Sequence, residues 1–212
     1  MHWFDRNKTR LGAAHQSPHD ILVRARAILR EYQLAHQWPS KFKEDADTRW
    51  TPPNFPWYKT NVDAAVFPSL GMIGVRVIIR DQGGSVVAAM SKRIPLPLGP
   101  LEAEAKALDE ATMFARDIGV QDVIFESDSC IACHALADPT NAPISISTIV
   151  AGTSVRLHEF RTFDILHVRR QANKSAHALA AYAKDIDYLV AWVEDCPPFI
   201  ESMVIQDSMF YS

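Results

Sequence analysis

The sequence lacks the features that would place it among secreted, membrane-spanning or strongly charged proteins. Only three cysteines occur in 212 residues, too few for a disulfide framework, which favours a reducing intracellular compartment, nuclear or cytoplasmic. No apolar run approaches the roughly 18–20 residues that cross a bilayer, so no membrane segment is predicted. The formal net charge is only −3, whereas proteins that bind nucleic acid mainly through phosphates usually have a basic surface.

The composition and the predicted structure of the chain change near residue 50. Residues 1–50 hold nine Lys or Arg against six acidic residues, and apolar periodicity predicts a helix over residues 18–38. The run TPPNFP that follows predicts a stiff linker. We therefore expect a basic helical segment at 1–50, a Pro-rich linker at 51–57, a main domain at 58–187 and a C-terminal tail at 188–212, to which no function is assigned.

Hydrophobic periodicity in the main domain predicts three strands, a helix, a strand, two helices, a strand and a last helix. The pair Gly83-Gly84 favours a hairpin between the second and third strands. The apolar strand after the first long helix fits a buried parallel strand that follows a crossover. The sequence thus predicts an α/β fold with a mixed five-stranded sheet, three antiparallel strands then two parallel ones, flanked by helices. The predicted strands are 58–67, 72–81, 85–94, 123–125 and 162–168, and the helices are 101–118, 128–137, 144–160 and 172–184.

Three carboxylates lie at positions where acidic side chains are uncommon. Asp63 stands in the middle of the first strand, Glu104 lies within the apolar stripe of the first long helix, and Asp128 follows the strand VIFES. Each also has an ordinary explanation: a solvated residue on an edge strand, a favourable charge at a helix N-terminus, and a helix N-cap. Together, carboxylates from a strand, a helix and a strand end suit hard divalent cations such as Mg²⁺.

Four motifs, in order, carry a resemblance to a known family. The segments NVDAA, LEAEAKAL, VIFESDS and HVRRQANKSAHALA resemble type 1 ribonuclease H, most closely the plant branch found at the C-terminus of non-LTR retroelement reverse transcriptases. The resemblance covers residues 57–187. It implies a ribonuclease H-like fold and cleavage of the RNA strand of RNA/DNA hybrids with two Mg²⁺ or Mn²⁺ ions.

The resemblance also implies roles for individual residues. Asp63, Glu104 and Asp128 match the family's metal ligands, with Asp63 expected to bridge the two ions. The fourth ligand position, usually Asp, holds His177, which would lie at the second ion; a packed histidine at the helix rim is the alternative. Three further residues are expected to contact nucleic acid: Arg169 and Arg170 through phosphates, and Asn173 near the site.

Two weaker readings stay beside this one. The motif Cys130-x-x-Cys133-His134 superficially resembles a haem or zinc motif, but without a second ligand pair it indicates structural cysteines. The alternative function is a catalytically weak or inactive nucleic-acid-binding or protein-interaction module on the same fold, favoured by His177 and by the acidic net charge. Fold alone does not establish activity.

Overall fold

The computed structural model describes residues 49–173, 182–183 and 186–208, all within one compact unit. The predicted N-terminal helix and the predicted last helix, apart from its two ends, lie outside these residues. None of the helices in the described part of the chain combines the length and the hydropathy of a membrane span. The strands are β1 (Tyr58–Phe67), β2 (Met72–Arg80), β3 (Val86–Ile94), β4 (Asp122–Ser127), β5 (Thr162–His167) and β6 (Leu189–Val193), and the helices are α1 (Pro100–Asp117), α2 (Cys130–Ala137), α3 (Ser147–Leu157) and α4 (Pro198–Ser208).

The mixed α/β sheet predicted from the sequence is confirmed, with one more strand than expected. Its order is β5-β4-β1-β2-β3-β6. β1, β2 and β3 are antiparallel, whereas β4 and β5 run parallel to β1. The sixth strand, β6, pairs antiparallel with β3 and comes from the segment expected to be a tail. Its five residues carry only a short alternating pattern, which is too little to predict a strand.

Turn and cap residues fix the ends of the elements that build the sheet. Asp81 accepts hydrogen bonds from the backbone N–H groups of Gly83 and Ser85, and Gly84 adopts a positive φ of 78°, so the predicted β2–β3 hairpin forms. Helix α1 starts at Pro100, where a missing N–H costs nothing, and Gly119, with φ of 85°, follows its C-terminus. The predicted bounds of α1 differ from the observed ones by one residue at each end.

Both faces of the sheet are covered, which explains why every residue of β2 is buried. On one face, α1, α2 and α3 pack their apolar residues against Val62, Val75 and Val77. On the other face, Ile200 and Val204 of α4 pack against β2 and β3. The C-terminal segment therefore completes the core of the domain.

A charged network is buried under α4 on this second face. Arg80, 0% exposed, donates to Asp207 of α4 at 2.8 Å and to the amide oxygen of Asn61 at 2.7 Å. Asn61 in turn donates to Glu126 at 2.8 Å, and Lys59 forms an ion pair with Glu126 at 2.7 Å. The network joins β1, β2, β4 and α4, so its charges are paired although they are withdrawn from water.

The junction between the predicted N-terminal segment and the predicted linker packs against the same network. Trp50 is 1% exposed, and the Arg80 guanidinium lies 3.6 Å from the centre of its ring. Lys59 also donates to the hydroxyl of Thr51 at 3.1 Å. Trp50 and Thr51 are therefore in contact with side chains of β1 and β2.

Candidate metal centre

The strand register brings Asp63 and Asp128 to the same edge of the sheet. β1 and β4 run parallel, and their last aligned pair is Val62 with Ser127. Asp63 is the next residue of β1, and Asp128 follows Ser127 directly. Because β4 ends there while β1 continues to Phe67, the side of β1 that faced β4 is open to other groups beyond this point.

Two side chains occupy the open side of β1. The backbone N–H of Ala64 hydrogen-bonds the carboxylate of Glu104, which reaches it from α1. The side-chain amide of Asn173 donates to the carbonyl oxygen of Val62 at 2.9 Å. Side chains thus take up some of the backbone hydrogen bonds that β4 would have made with β1. One of these side chains, Glu104, brings a carboxylate to the site.

The three carboxylates predicted to bind metal converge. Asp63, Glu104 and Asp128 each offer an oxygen, and these oxygens lie within 4.8 Å of one another. In the described part of the chain they form the only group of three or more such ligands close enough to share an ion. Asp63 is 4% exposed, while the other two are half-buried.

Electrostatics make the carboxylate cluster costly when no cation is bound. Burial raises the pKa of Glu104 well above its ordinary value of 4.5, and the charges of Asp63 and Asp128 raise it further. The nearby Arg76 guanidinium and the Ala64 N–H lower the pKa in part. The Glu104 oxygen Oε2 is buried with no hydrogen-bond partner in the part of the chain described. An all-oxygen donor set with an unpartnered buried oxygen fits a hard divalent cation.

Neutralising Glu104 should therefore stabilise the metal-free protein. Because the pKa of Glu104 is raised on folding, the folded state keeps a proton on this carboxyl group that the unfolded state releases. The contribution of Glu104 to the free energy of unfolding therefore falls as pH rises above about 4.5. Glu104→Gln should give a higher melting temperature than the unmodified protein at pH 7 in chelator, and the gain should vanish near pH 4.5. Thermal unfolding followed by circular dichroism at several pH values measures this.

The matched control for that measurement is Glu102→Gln, in the first turn of the same helix. Its carboxylate is not part of the cluster, and it favours the helix N-terminus electrostatically. We expect a small loss of stability for this variant. Equal gains for the two variants would show that the cluster is not the source of the effect.

Arg76 is a residue of this site that the sequence analysis missed. It lies opposite Asp63 on β2, is 0% exposed, and forms an ion pair with it, Nη1 to Oδ2, at 3.3 Å. The charges of Asp63, Glu104 and Asp128 all raise the Arg76 pKa, although burial lowers it overall. The signal was present in the sequence, since an arginine between Val75 and Val77 of an apolar strand needs a partner when buried.

The three residues expected to contact nucleic acid differ in exposure: two are exposed and one is buried. Arg169 and Arg170 are exposed and follow the carboxyl end of β5, whose last residue pairs with Ser127. The positive charge of Arg170 is close enough to Arg76 to lower its pKa. Asn173 is instead 2% exposed and lies in a 3-10 turn, Arg170–Asn173, that occupies the predicted start of the last helix. His177 lies outside the described residues.

Both cysteines of the Cys130-x-x-Cys133-His134 motif lie in α2: Cys133 faces the sheet, while Cys130 is half-buried and contacts His134 in the same helix. Cys133 is fully buried, its thiol faces the carbonyl oxygens of Ser127 and Leu166, and burial raises its pKa. A thiol held in this form is a poor metal ligand and a poor nucleophile. The motif therefore packs α2 near the end of β4.

Comparisons with known proteins agree with this architecture. Residues 61–183 match the model of a family described as reverse transcriptase-like. RNase H1 from the halophilic archaeon Halobacterium salinarum NRC-1 is 27% identical, with a TM-score of 0.55 over 61% of this chain and 98% of that one. The search of curated proteins found no match.

Two more distant structures show the same fold. The N-terminal RNase H domain of a Mycobacterium tuberculosis protein is 18% identical, with a TM-score of 0.55 over 61% of this chain and 94% of that one. An RNase H1 isolated from compost by a metagenomic approach is 20% identical, with a TM-score of 0.52 over the same shares, 61% and 94%. The fold of this domain is therefore RNase H-like, as its motifs predicted.

Proposed function

The chain belongs to the reverse transcriptase-like family, and from that premise we propose that it is a metal-dependent endonuclease that hydrolyses the RNA strand of RNA/DNA hybrids. One observation carries the proposal: oxygens of Asp63, Glu104 and Asp128, from a strand, a helix and a strand end, lie within 4.8 Å of one another. The membership of the plant retroelement branch stays a prediction from the motifs.

In this proposal the three carboxylates hold divalent ions, Mg²⁺ or Mn²⁺, two as the resemblance implies. Such ions, when bound, lower the pKa of water and stabilise the leaving oxygen in phosphodiester cleavage. The chain itself fixes the ligands: the β1–β4 register sets the two aspartates side by side, and the Ala64 N–H orients Glu104. His177 is proposed as the fourth ligand on the basis of its position in the motif.

Substrate contacts are proposed on the exposed edge beside the carboxylates. Arg169 and Arg170 lie past the carboxyl end of β5, next to the strand that Asp128 follows, where their charges would meet phosphates of a bound duplex. We assign Asn173 a different part: its amide holds the Val62 carbonyl and so orients the backbone directly before Asp63. It would act on the site through β1.

The test is a cleavage assay of the purified full chain with four labelled substrates of one sequence: RNA/DNA hybrid, single-stranded RNA, double-stranded RNA and double-stranded DNA. We expect cleavage of the hybrid's RNA strand in Mg²⁺ or Mn²⁺, and none in chelator. Equal cleavage of hybrid and single-stranded RNA would contradict the proposal. Binding of the hybrid without cleavage in either metal would instead support the alternative, an inactive binding module.

A further inference from the structure

The carboxylate cluster already contains a cation supplied by the protein. Arg76 is fully buried, and the ladder between β1 and β2 places it directly opposite Asp63. Its Nη1 atom lies 3.3 Å from Oδ2 of Asp63. A guanidinium keeps its charge throughout the physiological pH range, and a buried charge is screened little by salt. This positive charge is therefore a permanent part of the site.

The balance of charge in the described part of the site favours a single divalent ion. Asp63, Glu104 and Asp128 carry three negative charges when ionised, and Arg76 carries one positive charge, which leaves two negative charges. One divalent ion balances these. A second divalent ion would bring two positive charges in excess, and Arg170, whose charge reaches Arg76, adds to the same imbalance.

The contact between Arg76 and Asp63 also weakens the binding of a second ion. A carboxylate that bridges two ions gives one oxygen to each. Here Oδ2 of Asp63 already contacts the guanidinium, which competes for it with any ion that approaches from that side. Two positive charges a few ångströms apart in a buried site repel each other strongly, because little water lies between them to screen the charges. The first ion still binds tightly because it relieves the repulsion among the carboxylates. The repulsion from Arg76 therefore lowers mainly the affinity for the second ion.

We propose that Arg76 is a positioning residue of the metal centre that holds one oxygen of Asp63 and makes the protein retain one divalent ion while a second binds weakly. This rests on the proposed function, since it concerns the same carboxylates. It refines the expectation that Asp63 bridges two ions, because the second ion would bind much more weakly than the first.

The experiment counts ions on the full chain. Metal-free protein is titrated with Mn²⁺, and free Mn²⁺ is measured by electron paramagnetic resonance. The unmodified chain should show one tight site. Arg76→Met, which keeps much of the side-chain length without the charge, should show a second site whose affinity is at least about tenfold higher than in the unmodified chain. Arg76→Lys, which restores the charge, should return the one-site curve.

Arg116→Met serves as the matched control, because Arg116 is exposed at the end of α1 and pairs with Asp117 and Glu159, away from the cluster. It should bind Mn²⁺ as the unmodified chain does. Two sites of similar affinity in the unmodified chain would overturn the role of Arg76 even if Arg76→Met does not fold. A two-site curve for Arg76→Lys would overturn it as well.

The outcome also separates this inference from the proposed function. A chain that cuts hybrid and binds two ions equally well disproves the role of Arg76 and leaves the hybrid endonuclease in place. A chain that binds one Mn²⁺ tightly, gains the second site in Arg76→Met and cuts no hybrid supports the role of Arg76 while contradicting the endonuclease. A chain that binds no Mn²⁺ contradicts both.

Discussion

Asp63→Asn is expected to abolish metal-dependent cleavage of RNA/DNA hybrid. Asp63 is the most buried of the three carboxylates, and it directly follows Val62, whose partner Ser127 directly precedes Asp128. An amide carries no charge and is a weaker ligand for a hard cation. If the bound ions contribute about 4 kcal/mol to stabilising the transition state, their loss slows cleavage roughly a thousandfold. Single-turnover rates on hybrid in saturating Mg²⁺ measure this.

The same substitution removes the charge partner of Arg76, so the fold must be measured beside the activity. Breaking a buried ion pair costs about 3–5 kcal/mol when the remaining charge has no other compensation. In this site Glu104 and Asp128 also attract Arg76, which limits the cost. We therefore expect a lower melting temperature with a native circular dichroism spectrum at 25 °C. Asp128→Asn, which leaves the Asp63–Arg76 pair in place, should lose activity to a similar degree.

The matched control is Asp117→Asn. Asp117 is exposed at the end of α1 and contacts Arg116, so the substitution makes the same chemical change outside the site. It should keep full activity and a melting temperature close to that of the unmodified chain. Asp63→Asn protein that is folded and retains full cleavage would refute the assignment of the metal centre.

Ile200→Ala in α4 is expected to destabilise the domain severely. Ile200 is 0% exposed and packs on Ile78 and Ala89 of the sheet. Shortening a buried isoleucine to alanine costs about 2–5 kcal/mol, because apolar contact is lost and a cavity remains. The total stability of a domain is about 5–15 kcal/mol. Urea unfolding followed by circular dichroism should show a lower midpoint with a similar slope.

Ile205→Ala provides the control in the same helix. Ile205 is 46% exposed, so the same shortening leaves no buried cavity and should change stability by about 0.5 kcal/mol or less. A large difference between the two variants would show that α4 is bound to the sheet in solution. Equal, small effects would mean that the C-terminal segment is a tail, as the sequence suggested, and that the second face of the sheet is covered in another way.

Local patterns predicted much of the fold because they record secondary structure and burial directly. The alternation in β1, the Gly83-Gly84 turn and the apolar stripe of α1 are each contained in a short stretch of chain. Helix α3 was predicted longer than observed, at 144–160 against Ser147–Leu157. Apolar periodicity does not mark helix ends, and the N-terminus of this helix has no side-chain cap that a sequence motif would show.

The sequence by itself determined the order of the elements from β1 to β5, and it singled out the three carboxylates because an acidic residue within an apolar stripe or strand is uncommon. Only the tertiary structure decided what surrounds them. Arg76 stands opposite Asp63 through the β1–β2 register, and Arg80 meets Asp207 from 127 residues further along the chain. Register and long-range pairing depend on how separate elements pack together, and a periodic pattern shows which side of a strand is buried without showing what buries it.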